Sequence, residues 1–234
     1  MAYSHGTPNS IVKDGLVFAV DPANIRSYPG SGTTVTNLKN SGITGTMNGT
    51  TFSSINNGVL DFDDTDDYIE IPDNTVLEPA ENITVSCWVN LTNGGHINGY
   101  YVSKVHTAGS SASYGIFKKQ PYFFIQKSSG YVNSPQYGSS IVDAGWTHLV
   151  GTYDGSYARF YVNGIEVGNG TAGSGAIDYT AEKAYIGAFD YYTPTSQVLL
   201  PVEGKISNVQ IYNRALSAQE ITQNYNALKS RFGL

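Results

Sequence analysis

Residues 145–167 read GWTHLVGTYDGSYARFYVNGIEV, and this stretch predicts consecutive β-hairpins. Apolar and polar side chains alternate from Ala158 to Val162, which is typical of a strand with one buried face. The dipeptides Asp154-Gly155 and Asn163-Gly164 interrupt the pattern, and both favour tight hairpin turns because they accept a positive φ. We therefore expect antiparallel strands joined by two tight turns.

Similar strand-like runs recur along nearly the whole chain, separated by Gly, Asn, Asp and Pro. They include GLVFAVD, GVLDFD, YIEIP, ITVSCWVNL, YYVSKV, SYGIFKK, PYFFIQK, KAYIGAF and GKISNVQIYN. About a dozen short strands with this punctuation predict an all-β fold of two packed antiparallel sheets with Greek-key connections. A chain of 234 residues fits one such domain. We place it at residues 13–234, after a flexible polar arm at residues 1–12.

One helix is predicted, near the C-terminus. Ser217 and Glu220 have the spacing of a capping box. Ile221 and Tyr225 repeat at helical spacing, and Gly233 is placed to end the helix. We expect this short helix to pack on the sandwich.

The composition excludes several classes of function. Hydrophobic residues make up 40% of the chain and charged residues only 14%, with a net charge of −6. Lys and Arg form no run, so no nucleic-acid partner is expected, because phosphate binding needs a basic patch. No window has the ~18 apolar residues of a membrane helix, and the opening MAYSHGTPNS shows no secretory signal. Cys87 is the single cysteine, which excludes an internal disulfide. We expect a buried thiol in a protein made in a reducing cytoplasm.

Residues 60–73 read LDFDDTDDYIEIPD and concentrate aspartates in a chain that is otherwise sparing with charge. Calcium takes about six to eight oxygen ligands, often carboxylates from an irregular loop. The candidate calcium ligands are Asp64, Asp66 and Asp67, although the stretch is not an EF-hand, because Asp66 replaces its glycine. The alternative is a plain hairpin turn, since Asp caps its own backbone amides. The turn is favoured over calcium because the sequence shows no convergent second group.

Tyrosines in three loop-like segments are the candidate sugar-binding residues. A sugar has an apolar face and a polar rim, so its sites pair an aromatic platform with hydrogen-bonding groups. The segments NGGHINGYY, SSGYVNSPQYGSS and FDYYTPTSQ mix tyrosine with amides and hydroxyls, a mixture that protein-binding surfaces also use. The candidates are Tyr100, Tyr101, Tyr131, Tyr137, Tyr191 and Tyr192.

Three segments resemble the laminin-G-like branch of the concanavalin A-like lectin/glucanase superfamily. GVLDFDDTDDYIEIPD is similar to its Phe-Asp-Gly-x-Asp-Asp-Tyr-Val pattern, and residues 145–167 are similar to its Trp-x-His-Val-x-x-Thr-Tyr-Asp-Gly hairpin. GKISNVQIYNRALSAQEITQNY is similar to its closing strand and helix. The resemblance implies a two-sheet jelly roll, with calcium near the rim in some relatives.

Glucanases of this superfamily carry Glu-x-Asp-x-(x)-Glu on one strand, whereas no Glu of this chain is followed two residues later by Asp. Asp61 and Asp63 share a strand face, but two aspartates alone do not make the carboxyl pair, about 5 Å apart, of retaining hydrolysis. We therefore predict a domain that is not an enzyme. His148 lies in the Trp-x-His hairpin, and we expect it to make a structural hydrogen bond.

The opening segment DGLVFAVDPANIRSYPGSGTTVTNL also resembles laminin-G-like modules of tailed-bacteriophage structural proteins. This resemblance implies a virion protein, either a head decoration or a fibre component, with other virion proteins and host-cell glycans as partners. The oligomeric state stays open, with a homo-oligomer as one option. The alternative functions are a soluble carbohydrate-binding module of a bacterial extracellular protein and, further behind, a glucanase.

Overall fold

The computed structural model describes residues 10–91, 99–106, 111–118, 120–138, 141, 144–193 and 196–234. Within these residues the strands form two largely antiparallel sheets, one of ten strands and one of nine. We call the ten-stranded sheet the front sheet and the nine-stranded sheet the back sheet. The predicted all-β sandwich is confirmed.

The front sheet contains β2 (Thr34–Thr36), β3 (Thr44–Asn48), β6 (Tyr68–Ile71), β8 (Tyr100–His106), β9 (Ser111–Phe117), β10 (Tyr122–Lys127), β11 (Gly130–Asn133), β16 (Ala184–Ile186), β17 (Asp190–Thr193) and β18 (Ser196–Leu199). Its main path runs β11-β10-β9-β8-β16-β6-β3-β2. Strand β17 pairs with β18 in a hairpin and also pairs with β8.

The back sheet contains β1 (Leu16–Val20), β4 (Thr51–Ser53), β5 (Val59–Asp63), β7 (Ile83–Asn90), β12 (Thr147–Tyr153), β13 (Tyr157–Val162), β14 (Ile165–Glu166), β15 (Thr171–Ala172) and β19 (Glu203–Tyr212). Its main path runs β14-β13-β12-β7-β19-β5-β4, with β1 pairing β19 and β15 pairing β13.

The main core lies between the two sheets and follows from the alternation of side chains along the strands. Phe123 and Ile125 enter it from the front sheet, and Leu149 and Phe160 enter it from the back sheet. All four side chains are fully buried. A Cβ on Gly151 would lie 2.1 Å from Phe123 Cγ, so glycine is needed where the sheets approach at β12.

A second apolar layer covers the outer face of the back sheet, beneath helix α1 (Ala218–Leu228) and the 3-10 turn that follows it. The rings of Trp88 and Phe232 stack with centroids 4.3 Å apart, and Trp146 lies 4.5 Å from the same phenylalanine. Both tryptophans are buried. They anchor the helical end of the chain to the sheet.

His148 lies in this layer and makes the structural contact predicted for it. Its ring stacks on Trp88, and its Nε2 lies 2.9 Å from Ser86 Oγ. Burial lowers the pKa of His148 to about 3. The imidazole is therefore neutral at physiological pH and serves packing. Cys87, on the same strand, is fully buried as expected.

Helix α1 is confirmed with both of its predicted end signals. Ser217 Oγ accepts the amide of Glu220, and the Glu220 carboxylate accepts the amide of Ser217, which completes the capping box. Ile221 is buried against the sheet, and Gly233 ends the following turn at a φ of 79°. No helix in the described part of the chain is long and apolar enough to span a membrane.

The packed domain begins before residue 13. Residues 1–9 lie outside the described residues, but Val12 is buried and its amide donates to Asn224 Oδ1 at 2.7 Å. The carbonyl of Ser10 accepts a hydrogen bond from Gln223 Nε2 at 2.9 Å. Residues 10–12 therefore pack on helix α1 instead of belonging to the predicted arm.

The two turns predicted in residues 145–167 are confirmed. Asn163 and Gly164 have φ values of 52° and 82°, as the tight hairpin between β13 and β14 requires. At the β12–β13 turn only Gly155 has a positive φ, of 83°. Asp154 contributes through its carboxylate, which accepts the amides of Ser156 and Tyr157.

The acidic stretch does not form the predicted hairpin. β5 ends at Asp63 and pairs with β19 and β4 in the back sheet. β6 begins at Tyr68 and pairs with β16 and β3 in the front sheet. Residues 64–67 therefore cross from one sheet to the other. The hairpin prediction was wrong because turn residues are a local signal, whereas sheet membership depends on distant partner strands.

Candidate carbohydrate-binding face and acidic loop

Five aromatic side chains form a contiguous cluster on the outer face of the front sheet, which we call the aromatic face: Tyr100, Phe117, Tyr122, Phe124 and Tyr131. The Tyr100 ring lies 5.1 Å from Phe117 and 5.7 Å from Phe124. Tyr122 lies 5.1 Å from Phe117, and Tyr131 lies 5.7 Å from Phe124. These edge-to-face and tilted contacts are the arrangements that aromatic rings prefer, so the rings support one another.

Strand register brings the aromatic face together. Phe117 on β9 opposes both Tyr122 on β10 and Tyr100 on β8. Phe124 opposes Gly115, where a Cβ would lie 2.8 Å from Phe124 Cε1 and 3.1 Å from Tyr100 Cδ1. Glycine at position 115 therefore leaves the space that two of the rings occupy.

The hydroxyls of Tyr100 and Tyr122 stay protonated. Burial raises the pKa of Tyr100, and the neighbouring Tyr122 and Tyr131 raise it further, since their ionised forms would repel its own. Burial and Tyr131 likewise raise the pKa of Tyr122. Tyr131 is 45% exposed, while Tyr100 and Tyr122 are half-buried. Phe124 is only 4% exposed, so Tyr131 supplies most of the accessible ring surface and the more buried rings hold it in place.

Two amide side chains border the aromatic face. Asn133 is exposed on β11, opposite Phe124 of β10. Gln126 opposes Tyr131 in the same strand pair. Both amides lie on the same side of the sheet as the rings because residues two apart in a strand share a face. They supply polar groups at the edge of an apolar surface.

The structure separates the predicted sugar-binding tyrosines. Tyr100 and Tyr131 lie together on the aromatic face. Tyr101 is 0% exposed in the main core, so its prediction as a ligand-facing residue was wrong. Tyr137 is half-buried and packs against the same core.

Tyr191 and Tyr192 belong to β17, but their side chains lie outside the described part of the structure. Tyr122 was missed by the sequence analysis. The sequence pattern could have indicated it, because Tyr122 and Phe124 are two residues apart on β10. Their side chains therefore share the outer face, whereas Phe123 between them points into the core.

Three carboxylates converge where the chain crosses between the sheets. Oxygen atoms of Asp63, Asp66 and Asp67 lie within 4.8 Å of one another, and we call this group the acidic triad. The predicted ligand set was Asp64, Asp66 and Asp67. The structure groups Asp63 with the other two in place of Asp64, which has a φ of 64° and donates its amide to the Val202 carbonyl at 3.1 Å.

Asp67 is the buried member of the acidic triad, with 5% exposure. Its Oδ2 accepts the amide of Asp63 at 3.0 Å, and a Cβ on Gly49 would lie 2.0 Å from its Oδ1. Burial raises the pKa of Asp67 to about 6, and the charges of Asp63, Asp66 and Asp61 add to the rise. A divalent cation would remove this repulsion.

The geometry fits calcium binding and also a plain turn, although this turn connects the two sheets and closes no hairpin. Calcium takes about six to eight oxygens, so the triad would supply part of the set and backbone carbonyls or water the rest. The turn interpretation is supported by Asp63 Oδ1, which accepts the amide of Thr65 at 2.9 Å and closes an Asx turn.

The sequence matches a family model of the laminin-G type, described as the concanavalin A-like lectin/glucanases superfamily, over residues 63–222. This match covers more than half of the chain. The chain belongs to the concanavalin A-like lectin/glucanases superfamily. No curated protein sequence matches the chain significantly.

Three solved structures of other proteins share the fold. Domain 4 of AbnA, a GH43 extracellular arabinanase from Geobacillus stearothermophilus in complex with arabinotriose, aligns over 92% of this chain and 100% of its own, with a TM-score of 0.65 and 16% identity. The ligand-binding domain of botulinum neurotoxin serotype D in complex with N-acetylneuraminic acid aligns over 91% of this chain and 50% of its own, with a TM-score of 0.67 and 12% identity. Trypanosoma rangeli sialidase in complex with the inhibitor DANA aligns over 92% of this chain and 33% of its own, with a TM-score of 0.65 and 15% identity.

The chain thus spans all of the AbnA domain, about half of the toxin domain and about a third of the sialidase. At these identities the similarity shows the fold alone.

Proposed function

We propose that this chain is a non-enzymatic, lectin-like module that binds glycans on the aromatic face. The observation that carries the proposal is the cluster of three tyrosines and two phenylalanines on an outer sheet face, with Tyr131 45% exposed. An exposed aromatic ring beside hydroxyl and amide groups is the combination that a sugar, with its apolar face and polar rim, requires. The apolar face of a sugar ring would lie on Tyr131 and Tyr122.

Polar groups around the rings support a sugar over a purely apolar ligand. The protonated hydroxyls of Tyr100 and Tyr122 can donate hydrogen bonds, and the exposed amide of Asn133 can both donate and accept. Sugar hydroxyls need both kinds of partner around an apolar platform.

The comparisons add support at the level of the fold. One of the similar structures contains arabinotriose and another contains N-acetylneuraminic acid. We infer from them the same broad class of ligand for this chain. The choice of glycan is a matter for measurement.

The proposed module has no hydrolytic activity. Asp61 is ion-paired with Lys205 Nζ at 2.5 Å, and Asp63 belongs to the acidic triad. The two strand-face aspartates therefore have other partners, which argues against the carboxyl pair of retaining hydrolysis. Release of reducing ends from common polysaccharides, abolished by Asp61→Asn, would contradict this part of the proposal.

The acidic triad is proposed to hold one calcium ion. Titration calorimetry with calcium should show binding to the native chain and to Asp64→Asn, and a loss of binding in Asp63→Asn. Asp64→Asn is the matched control because it removes one carboxylate from the same loop outside the triad. Equal binding by all three proteins, or none by the native chain, would leave the loop as a turn.

The module is further proposed to be a structural protein of a tailed-phage virion, in a head decoration or a fibre. The support is the resemblance of residues 14–38 to modules of such proteins. Many weak sites on one particle adhere strongly, because arraying raises the effective concentration. Antibodies against the chain should then label the head or the fibres of purified particles in electron micrographs, and unlabelled particles would contradict the role.

The second candidate is a soluble carbohydrate-binding module of a bacterial extracellular protein. One observation favours it: the chain aligns with the whole of domain 4 of an extracellular arabinanase. This reading predicts the chain in the culture medium, attached to a catalytic domain, and not in phage particles.

A broad glycan array, run in calcium and again in chelator, tests the proposed function. Selective binding in either buffer supports a lectin-like module, and its loss in chelator would connect binding to the acidic triad. An array without any signal in both buffers would contradict glycan binding and leave the aromatic face as a protein contact.

A further inference from the structure

A cleft of about 550 Å³ opens on the outer face of the back sheet, on the opposite side of the sandwich from the aromatic face. This volume lies within the range of about 300–1,000 Å³ that is usual for small-ligand sites. One wall is the β12–β13 hairpin, and the other is the segment from Arg214 to Glu220, which enters helix α1. We call it the hairpin–helix cleft.

The floor of the hairpin–helix cleft is formed by buried side chains. Thr152, Tyr161 and Leu216 line it and are 2%, 3% and 4% exposed. Ala215 and Ala218 are also part of the lining, so small apolar surfaces alternate with polar groups. Such a mixed floor suits a ligand with both apolar and hydroxyl-bearing faces.

The hairpin wall carries an ion pair in a fixed orientation. Asp154 Oδ1 accepts the amides of Ser156 and Tyr157 at 2.9 and 2.7 Å, and its Oδ2 accepts Arg159 Nη1 at 2.5 Å. The Arg159 guanidinium also lies 5.0 Å from the centre of the Tyr157 ring. Burial alone would raise the pKa of Asp154, but these hydrogen bonds lower it. The carboxylate therefore stays ionised and oriented.

The helix wall carries a second fixed ion pair. Arg214 donates to both carboxylate oxygens of Glu220, at 2.9 and 2.7 Å. Ser217 holds the same carboxylate through its amide at 2.9 Å. The hydrogen bonds from Arg214 lower the pKa of Glu220 to about 2, although burial opposes them. The Glu220 carboxylate thus occupies the position at the N-terminus of α1 where an external anion would otherwise bind.

The charges around the cleft favour an uncharged ligand. Arg159 pairs with Asp154 and, at 3.5 Å, with Glu166. Arg214 pairs with Glu220 and, at 3.0 Å, with Asp14. Within the lining, two guanidinium groups are thus paired with two carboxylates, Asp154 and Glu220, so the cleft carries no net charge and offers no unpaired cation to an acidic sugar or a phosphate.

We propose that the hairpin–helix cleft is a second binding site, whose ligand is a neutral polyhydroxylated group such as an uncharged sugar residue. Ion pairs that are already oriented offer hydroxyls both a donor and an acceptor at little cost in side-chain entropy. This site rests on contacts separate from those of the aromatic face. With both sites occupied, one molecule would bridge two glycan chains, one on each side of the sandwich.

The test uses a variant that fills the cleft without removing any of its contacts. Ala218 is exposed in the first turn of α1 and lines the cleft, so Ala218→Trp places an indole in the opening. Gln219→Trp is the matched control, because Gln219 is exposed on the same turn and is not part of the lining. Both changes are also made in a Tyr122→Ala/Tyr131→Ala background, which disables the aromatic face.

The probe is a printed array of neutral and sialylated glycans, with circular dichroism to confirm folding of every variant. We expect the Tyr122→Ala/Tyr131→Ala protein to retain binding to a set of neutral glycans. That set should fall to background on adding Ala218→Trp and persist on adding Gln219→Trp. Retained binding that Ala218→Trp does not affect, or that consists of sialylated glycans, would overturn the proposal.

The outcomes separate this site from the proposed function. Loss of all binding in Tyr122→Ala/Tyr131→Ala, with full binding in Ala218→Trp, would leave the aromatic face as the glycan site and refute the cleft. Full binding in Tyr122→Ala/Tyr131→Ala that disappears with Ala218→Trp would support the cleft and refute the aromatic face. A native chain that binds nothing on the array contradicts both.

Discussion

Gly115 controls the position of two rings on the aromatic face. Its missing side chain leaves room for Phe124 and Tyr100, whose nearest atoms would lie 2.8 and 3.1 Å from an added Cβ. The absence of a side chain at position 115 therefore sets how closely these two rings pack.

We predict that Gly115→Ala lowers the free energy of unfolding by about 1–3 kcal/mol, the usual cost of overpacking, and weakens glycan binding by displacing both rings. Urea denaturation and binding to an array-selected glycan measure the two effects. Gly138→Ala is the control, because a Cβ there meets nothing within 4 Å. Unchanged binding by Gly115→Ala would show that the rings do not contact the ligand.

The sequence identified the residue types at the site more reliably than the side of the sheet to which each side chain points. Tyr100 and Tyr101 are adjacent in one strand, so at most one of them could face outward, and parity alone does not say which. Asp64 was preferred to Asp63 because the alternation of the sequence assigns Asp63 to the strand and Asp64 to the turn. The left-handed φ at Asp64 is a property of the folded loop, and it separates Asp64 from the triad.

Phe232 is one of the side chains that attach the helical end of the chain to the back sheet. This ring is 5% exposed and lies against both Trp88 and Trp146. The contact joins the 3-10 turn after α1 to strands β7 and β12, and so connects an otherwise marginal short helix to the sandwich.

We predict that Phe232→Ala costs about 3–5 kcal/mol of unfolding free energy, the usual range for a buried phenylalanine. Tryptophan fluorescence should report the change directly, because both indoles lose their contact with Phe232. Leu234→Ala is the control, since Leu234 is 50% exposed. An unfolding midpoint like that of the control would mean that the helical end contributes little to stability.

The capping box of α1 should give the protein an acid-dependent stability. The Arg214 hydrogen bonds lower the pKa of Glu220 from 4.5 to about 2 in the folded chain. The stabilisation is therefore complete above pH 4.5 and is lost as the pH falls towards 2. Glu220→Gln keeps a capping side chain but removes the charge.

Melting temperatures of the native chain and of Glu220→Gln, measured between pH 7 and pH 2, test this expectation. The native chain should melt higher at pH 7, and the difference should shrink below pH 4.5. A difference that is constant over the whole range would show that charge at Glu220 does not stabilise the helix.

Elements with local signals were the most predictable. The hairpins of residues 145–167 and the capping box of α1 were predicted because a turn dipeptide or a cap acts within a few residues. The acidic stretch failed for the opposite reason. Whether β5 and β6 pair with each other depends on β19 and β16, which lie more than a hundred residues further along the chain.

At the scale of the whole molecule, a buried hydrogen-bond chain joins the two ends of the described chain. Asn208 Nδ2 donates to Asp21 Oδ2 at 3.0 Å, and Gln210 Nε2 donates to Asn208 Oδ1. Tyr212 Oη donates to Gln210 Oε1 at 2.9 Å and accepts Asn224 Nδ2 at 3.0 Å. Three of these side chains belong to β19 of the back sheet, and they connect it to Asp21 and to helix α1.

The fold class was predictable from the sequence, since alternation and turns along the whole chain point to a sandwich. The aromatic face was only partly predictable, because it joins residues from β8 to β11 that are neighbours only after the strands pair. The hairpin–helix cleft joins segments about sixty residues apart, and nothing in either segment alone indicates it.

The most direct test of the aromatic face compares Tyr131→Ala with Tyr131→Phe. Binding of a glycan that Ala218→Trp still recognises on the array, and that therefore does not depend on the hairpin–helix cleft, is measured by titration calorimetry. The proteins compared are both variants, the native chain and Ile25→Ala, whose side chain is 81% exposed in the loop after β1. We predict native affinity for Ile25→Ala, a modest loss for Tyr131→Phe, which keeps the ring, and loss of detectable binding for Tyr131→Ala. Native affinity in Tyr131→Ala would contradict the assignment of the aromatic face as the glycan-binding surface.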